Sequence, residues 1–368
     1  MTRIVKAAVL HEINAPLSVE DVEVMAPTSG QVLVKISAVG LCHSDLHAIN
    51  GDLPVPLPCV PGHEGAGVVE EIGPGVTTVS QGDHVVLCGM ASCGKCPRCL
   101  EGRAYFCQFG FDALGGTLMD GTTRLITRSG GELYHFLCQS SFAEYAVVNE
   151  RQLVKVRKDA PLSVACLLAC GASTGLGAAL NCARVEPGTR VAVFGCGGVG
   201  LSAIMGANLM NAERIIAVDV LPNKLAMARE LGATDTVDAS KEDPLDLIGE
   251  ISDGKGIDYA FEAVGNMELT NQAIASVGSG GMVVLLGLPP QDAVMSIEAV
   301  QLMVGKTITF APFGYTRFAS DVPRFLNLYM AGKLPLDKLL TRTYKLDEIN
   351  EAIDALEKGE VIRAAITF

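Results

Sequence analysis

Cys93, Cys96, Cys99 and Cys107 fall within fifteen residues, the first three as Cys-Gly-Lys-Cys-Pro-Arg-Cys and the fourth eight positions further on. Four thiolates a short loop apart can close a tetrahedron on Zn²⁺ at about 2.3 Å per bond, with no position left for water. Such a site is structural, so any catalysis belongs elsewhere in the chain. A disulfide pair or a redox sensor is the alternative, and it needs an oxidising compartment. Between Lys6 and His11 stand only Ala7, Ala8, Val9 and Leu10, too short a stretch for the apolar core of a signal peptide. No later run reaches the roughly eighteen apolar residues of a membrane-spanning helix. The expected location is the cytoplasm, where the four thiols stay reduced and available to metal.

A chain of 368 residues exceeds the size at which one core keeps growing, so two domains are expected, and 49% hydrophobic residues suffice for both. With 41 acidic against 28 basic residues the net charge is −13, which repels a polyphosphate backbone and argues against nucleic-acid binding. The first half holds short β-like runs punctuated by glycine and proline: Val5 to Leu10, Gln31 to Ala38, Gly67 to Ile72 and Asp83 to Leu87. Val32, Val34 and Ile36 alternate with Leu33, Lys35 and Ser37, the period of a strand. From about Gly175 strands alternate with helix-length stretches, as in a parallel sheet of βαβ units. The boundary is expected near residue 171.

Within that second region the apolar run Arg190-Val-Ala-Val-Phe194 enters Gly195-Cys-Gly-Gly-Val-Gly200 and then a helical stretch, Leu201 to Ala212. Gly195 permits a tight turn, Gly197 lets backbone amides approach a pyrophosphate, and Gly200 lets helix and strand pack closely, with Gly198 counted among the cofactor-binding residues of the loop. The helix terminus offers partial positive charge to the phosphates. Alone the motif is weak. Here a second strand, Arg214-Ile-Ile-Ala-Val, ends at Asp219, nineteen residues beyond Gly200. A carboxylate there accepts both ribose hydroxyls of NAD and repels the 2′-phosphate of NADP, so NAD is preferred. A solvated aspartate at a strand end is the plain alternative. Ile257 to Glu262 and Gly281 to Leu286 continue the alternation.

Further candidates are scattered: Cys42 in Gly-Leu-Cys-His-Ser-Asp-Leu-His47, His63 and Glu64 in Pro-Gly-His-Glu-Gly-Ala-Gly67, and Cys170 in Ala-Cys-Gly-Ala-Ser-Thr174. Spacing alone does not join them, since a buried cysteine is commonly an apolar filler. Taken in order with the four-cysteine lobe and the glycine motif, however, these segments resemble the zinc-dependent alcohol dehydrogenases of the medium-chain dehydrogenase/reductase superfamily, over essentially the whole chain. The resemblance implies an α/β protein. Residues 1–171 and 313–368 would form a GroES-like β-rich catalytic domain with the structural zinc lobe at about 93–107. Residues 172–312 would form a Rossmann domain with a doubly wound parallel sheet.

It also implies roles. Cys42, His63 and Cys170 would hold a catalytic zinc with one position open, Glu64 would be an exchange ligand, and Asp45 would fix the tautomer of His63. Each chain would thus carry two zincs. Bound zinc makes an alcohol far more acidic, and nicotinamide takes the hydride. Ser44 would accept the proton and His47 would pass it to solvent. His43 and Arg363 would contact the pyrophosphate, Lys224 the adenosine ribose beside Asp219, and Thr174 and Val199 the nicotinamide. His11, His84 and His135 match no role.

Substrate expectations come from departures within the resemblance. Where liver-type relatives narrow the pocket with an aromatic ring, four residues before the first lobe cysteine, this chain has Gly89. Leu53, Leu114, Phe136, Leu137, Leu288 and Pro312 would complete an apolar lining, which suits a bulky primary alcohol or aldehyde, aromatic or terpenoid. The segment Phe313-Gly-Tyr-Thr-Arg-Phe318 departs from the glycine-glycine form common in relatives. A thiol-cofactor-dependent formaldehyde dehydrogenase is the nearest alternative; Leu53 and His47 stand where that class has an acid and a tyrosine. A non-catalytic NAD-binding zinc protein is the alternative of another kind. The length of the segment between Cys107 and Phe142 resembles that of dimeric members, so a homodimer is expected.

Overall fold

In the computed structural model, residues 2–90, 92–108 and 115–368 are described. They form two compact units: one comprises the chain up to Cys170 together with Arg317–Gly332 and Leu336–Phe368, the other Gly171–Thr316 with Lys333–Pro335.

The first unit is built on two sheets. The larger runs in the order Leu153–Val156, His84–Leu87, Glu64–Ile72, Gln31–Leu41, Arg363–Thr367, Leu340–Tyr344, and Tyr145–Asn149 also pairs with Gln31–Leu41. The smaller runs Arg3–Val9, Ser18–Val24, Leu125–Thr127, Glu132–His135, Cys59–Val60. Alternation along Gln31–Leu41 divides its faces between two cores: Val32, Val34 and Ile36 join a cluster with Val69, Val85 and Ile366, whereas Leu33 joins one with Val5, Val22 and Leu133. This strand runs three residues past the expected end at Ala38. Gly40 lies opposite Glu64 in the antiparallel register, and a Cβ there would sit 2.1 Å from the Glu64 carboxylate, so glycine lets the strand continue to Leu41 and deliver Cys42 at its tip.

In the second unit, six parallel strands lie in the order Asp235–Asp238, Arg214–Asp219, Arg190–Phe194, Ile257–Glu262, Val277–Leu285, Thr307–Phe310. Numbered along the chain this is 3-2-1-4-5-6, the doubly wound dinucleotide-binding order whose switch point lies beside the first strand. Helices Gly198–Leu209, Pro222–Glu230, Pro244–Ile251 and Met267–Ser276 follow successive strands. Ala192, Phe194, Ile216, Val218, Ala260 and Val283 fill the core. The continuous part of the unit ends at Thr316, four residues beyond the expected end at 312, because the Pro312–Tyr315 turn belongs with helix Gly171–Gly177: Thr316 Oγ1 donates to the Ser173 carbonyl at 2.8 Å. Among the described residues no single helix is long and apolar enough to cross a membrane.

Candidate metal centres and nucleotide motif

Cys42 caps helix His43–Asn50 in an extended conformation (φ −127°, ψ 153°), and Asp45, three residues on, reaches back so that Oδ2 accepts from the Cys42 N–H at 3.1 Å. The other Asp45 oxygen accepts from the Gly62 N–H at 3.2 Å and pairs with His63 Nδ1 at 2.8 Å, with both side chains wholly buried. Because Nδ1 is engaged by a carboxylate, the ring turns Nε2 away, and Nε2 is buried with no hydrogen-bond partner among the described residues. Cys170, ending the turn Cys166–Ala169, comes from the opposite direction in sequence. One ligand atom from each of Cys42, His63, Glu64 and Cys170 lies within 4.8 Å of the others.

The electrostatics of the set suit a cation. A hydrogen bond from Cys170 holds the Cys42 thiol well below its ordinary range, against burial and with help from His63. The same shared proton, with burial, pushes the Cys170 thiol up. Burial alone would depress His63, yet the charge and hydrogen bond of Asp45, with Cys42 beyond, raise it well above the usual imidazole range. Cys42, Cys170 and His63 would hold a divalent metal through their two sulfurs and Nε2 once these protons are lost, a donor set that fits zinc. Glu64, fully buried, instead pairs with Nη2 of Arg363, which is itself buried. Arg363 thus lies against the carboxylate of the metal cluster.

In the lobe, the Cys96 sulfur is 3.5 Å from that of Cys99 and 3.9 Å from that of Cys107, and the N–H groups of Cys93 and Cys96 point at the Cys107 and Cys93 sulfurs at 3.4 and 3.3 Å. Ligands about 2.3 Å from a tetrahedral zinc stand about 3.8 Å apart, so this spacing fits the metal, whereas a disulfide needs about 2.05 Å. Among the described residues no disulfide joins any of the cysteines. Backbone N–H groups of Lys95 and Cys96 draw the Cys93 thiol down to about 6, while burial and its neighbours push Cys99 up to about 12.

Ser44 Oγ lies 3.8 Å from the Cys42 sulfur, and His47, half-buried, holds Asp52 Oδ2 at 2.9 Å through Nδ1. His43 is exposed on the same first turn. Of the expected lining, Phe136 meets the His63 ring edge-on, with centroids 5.5 Å apart at 87°, and Leu137 follows it in a left-handed conformation. Gly89 donates to the Ala169 carbonyl at 3.1 Å, next to Cys170, and the Leu53 N–H to the His47 carbonyl at 2.9 Å. Leu288 and Pro312 belong to the other unit. Leu114 lies outside the described residues. Sequence reasoning missed Gln139, whose buried amide donates to the main-chain carbonyl of His63 at 2.8 Å; no spacing signals it.

In the second unit Gly195 takes φ +92° between strand and helix, and a Cβ at Gly200 would fall 1.8 Å from the Gly195 carbonyl oxygen. Around Gly197, by contrast, a Cβ would meet nothing within 4 Å, leaving the loop open to a ligand. Gly198 and Val199 form the first turn of the helix. Asp219 Oδ2 accepts from the Cys196 N–H at 2.7 Å and Oδ1 from the Leu221 N–H at 2.9 Å, tying the glycine loop to the second strand. Lys224 sits on the first turn of the next helix, half-buried, and Thr174 is buried on helix Gly171–Gly177. Glu262, also missed, accepts with Oε1 from the N–H groups of Val264 and Gly265 at 2.9 and 2.8 Å and shapes the loop after the fourth strand.

The family model described as the alcohol dehydrogenase GroES-like domain matches residues 28–158, and that of the zinc-binding dehydrogenases matches residues 198–330. Among solved structures, an alcohol dehydrogenase zinc-binding domain protein from Burkholderia ambifaria is 40% identical, with all of both chains covered and a TM-score of 0.97. Benzyl alcohol dehydrogenase from Acinetobacter calcoaceticus is 36% identical over 100% of this chain and 99% of its own, with a TM-score of 0.95. A chain of the zinc-binding dehydrogenase type from Sinorhizobium meliloti 1021, bound to NADP, is 27% identical over the full length of both, with a TM-score of 0.79. With both family models matched in order and full-length identity at this level, the chain belongs to the zinc-binding alcohol dehydrogenases of the medium-chain dehydrogenase/reductase superfamily.

Proposed function

We propose that this protein is an NAD-dependent alcohol dehydrogenase that carries two zincs and interconverts bulky apolar primary alcohols, aromatic or terpenoid, with their aldehydes. The observation that carries the reading is the convergence of the Cys42 and Cys170 sulfurs and the orphaned His63 Nε2 within 4.8 Å. Three protein ligands and an open position are the form of a catalytic zinc. When bound there, zinc supplies Lewis acidity toward an alcohol or carbonyl oxygen.

The protein's own groups do the rest. Asp45 keeps the His63 proton on Nδ1 and so keeps Nε2 free as a ligand. Ser44 Oγ, on the same turn as Cys42, takes the alcohol proton and His47 passes it outward, with Asp52 Oδ2 orienting the imidazole through Nδ1. The glycine loop, Val199, Lys224 and Thr174 hold the dinucleotide, His43 and Arg363 its phosphates, and the Asp219 carboxylate favours NAD over NADP. Gly89 leaves room beside Phe136 and Leu137 for a ring, a reading supported by the benzyl alcohol dehydrogenase among the similar structures.

A homodimer in a reducing cytoplasm completes the reading. Val300, Leu302, Met303 and Phe310 are exposed on and around the edge strand Thr307–Phe310, and Met303 is 84% exposed. An apolar, unpaired sheet edge of this kind calls for a second copy. Twelve cysteines with no disulfide among the described residues suit a reducing compartment. The test is steady-state turnover with NAD and NADP over aliphatic, benzylic and terpenoid alcohols, with zinc counted per chain. Two zincs, a benzylic preference and NAD selectivity are expected. Higher kcat/KM for ethanol than for benzyl alcohol would sink the pocket argument, and one zinc per chain the catalytic centre.

A further inference from the structure

His63 is gripped from a side that the ligand pattern does not reveal. Gln139 is wholly buried, and both ends of its amide are used: Nε2 donates to the His63 main-chain carbonyl at 2.8 Å, and Oε1 accepts from Ser141 Oγ at 2.7 Å. The amide orientation follows from its partners, since a carbonyl can only accept and the serine hydroxyl can donate.

Gln139 stands in a turn where Leu137, Cys138 and Ser140 have φ of 48°, 59° and 60°, although none is glycine. Residues with side chains hold such angles only where their surroundings over-determine them. Here Gln152 Nε2 donates to the Leu137 carbonyl at 3.2 Å and the Phe136 N–H to Ser140 Oγ at 3.1 Å. The turn is also stitched to the ligand's own segment, with the Ser141 N–H on the Gly62 carbonyl at 2.8 Å and the Phe142 N–H on that of Pro61 at 3.1 Å. At its start the turn sets Phe136 edge-on against the imidazole.

We propose that Gln139 is a positioning residue for the metal ligand His63: by fixing its main chain, Gln139 sets the direction of Nε2 and so the hold of the Cys42–His63–Cys170 set on zinc. This rests on the reading of those three residues as ligands. A single hydrogen bond donated by Nδ1 to Asp45 leaves the ring free to rock about the Nδ1–Oδ1 line; Gln139 fixes the main chain that carries the ring and Phe136 packs against its edge. Only a donor of this length serves. Glutamate has the shape but turns a second acceptor on the carbonyl, and methionine has the length but no polar hydrogen.

The test uses full-length, zinc-loaded protein, wild type against Gln139→Glu, Gln139→Met and Ser141→Ala, challenged with excess chromogenic chelator while zinc release is followed. Partners of metal ligands are worth about 10- to 100-fold in metal affinity. In both Gln139 variants one zinc equivalent should leave at least ~10-fold faster while the four-cysteine equivalent leaves at the wild-type rate. Ser141→Ala, which keeps the donor but loosens the amide, should fall between. Wild-type release from the Gln139 variants overturns the proposal, and so does acceleration of both equivalents together with a lowered melting temperature, which marks a role in the fold alone. Should the Gln139 variants not fold, Ser141→Ala decides: selective acceleration supports the proposal and wild-type release overturns it. A wild type holding one zinc removes the ligand reading itself, whereas two zincs with unaltered release remove only the role of Gln139.

Discussion

Replacing Gly200 with alanine puts a methyl carbon 1.8 Å from the Gly195 carbonyl oxygen and 3.2 Å from Val193 Cγ1. An ordinary contact begins at 3.4 Å, so loop and helix must part by 1.6 Å, the difference between 3.4 and 1.8 Å. Neither side yields easily. The Gly195 N–H is bonded to the Val218 carbonyl at 2.8 Å and the Cys196 N–H to Asp219 at 2.7 Å. Behind the helix, Gly175 already sits so close that its own Cβ would fall 2.1 Å from the Val199 carbonyl. Overpacking of this kind costs about 1–3 kcal/mol. Opening the turn also withdraws at least one amide from the pyrophosphate, a charge-assisted hydrogen bond of about 1.5–3 kcal/mol, or roughly 10- to 100-fold in NAD affinity. Gly197→Ala makes the contrast: its φ is −76° and its Cβ meets nothing within 4 Å, so the fold is unaffected while the methyl stands where the pyrophosphate approaches. Scanning calorimetry without nucleotide and titration by NADH fluorescence, unobscured because the chain has no tryptophan, separate the two effects. Gly200→Ala should lose both melting temperature and affinity, and Gly197→Ala affinity alone. Wild-type affinity in Gly197→Ala, or an unshifted melting temperature in Gly200→Ala, would refute the reasoning.

Cys170→Ser should abolish turnover and remove one zinc while leaving secondary structure by circular dichroism intact, whereas Cys99→Ser should remove the other zinc and lower the melting temperature; retained activity in Cys170→Ser excludes it as a ligand. Burial keeps His135 neutral down to about 3 against an ordinary 6.5, so the folded state binds fewer protons than the unfolded one between those values and stability falls as pH drops below 6.5. From pH 6.5 to 5 the loss is about 2 kcal/mol. Urea titrations should show it in the wild type and not in His135→Gln, and equal slopes in the two proteins would rule it out. Met303→Lys with Val300→Glu should shift sedimentation from dimer to monomer, and an unchanged mass would move the interface elsewhere.

What could be read from sequence was what lies contiguous in it. The strand Arg190–Phe194, the glycine turn and the closing Asp219 are neighbours along the chain, and the structure forms these elements at those residues. The following helix begins at Gly198 rather than Leu201, because the glycines after Gly197 enter the helix instead of ending the loop. The side of the metal cluster facing away from its ligands was not legible. Glu64 and Arg363 pair across 299 residues. The left-handed turn at Leu137, Cys138 and Ser140 contains no glycine or proline to mark it, since hydrogen bonds from elsewhere impose its angles. Gln139 looks like any polar loop residue until the His63 carbonyl is placed beside it.

The strand Arg363–Thr367 lies between Gln31–Leu41 and Leu340–Tyr344. During synthesis the ribosome therefore releases all of Gly171–Thr316 before the sheet that presents Cys42 and His63 can close. The nucleotide-binding unit has its complete set of strands while its partner still waits for one. An early stop in translation would leave a chain able to recognise a dinucleotide yet with Glu64 lacking its buried counter-charge.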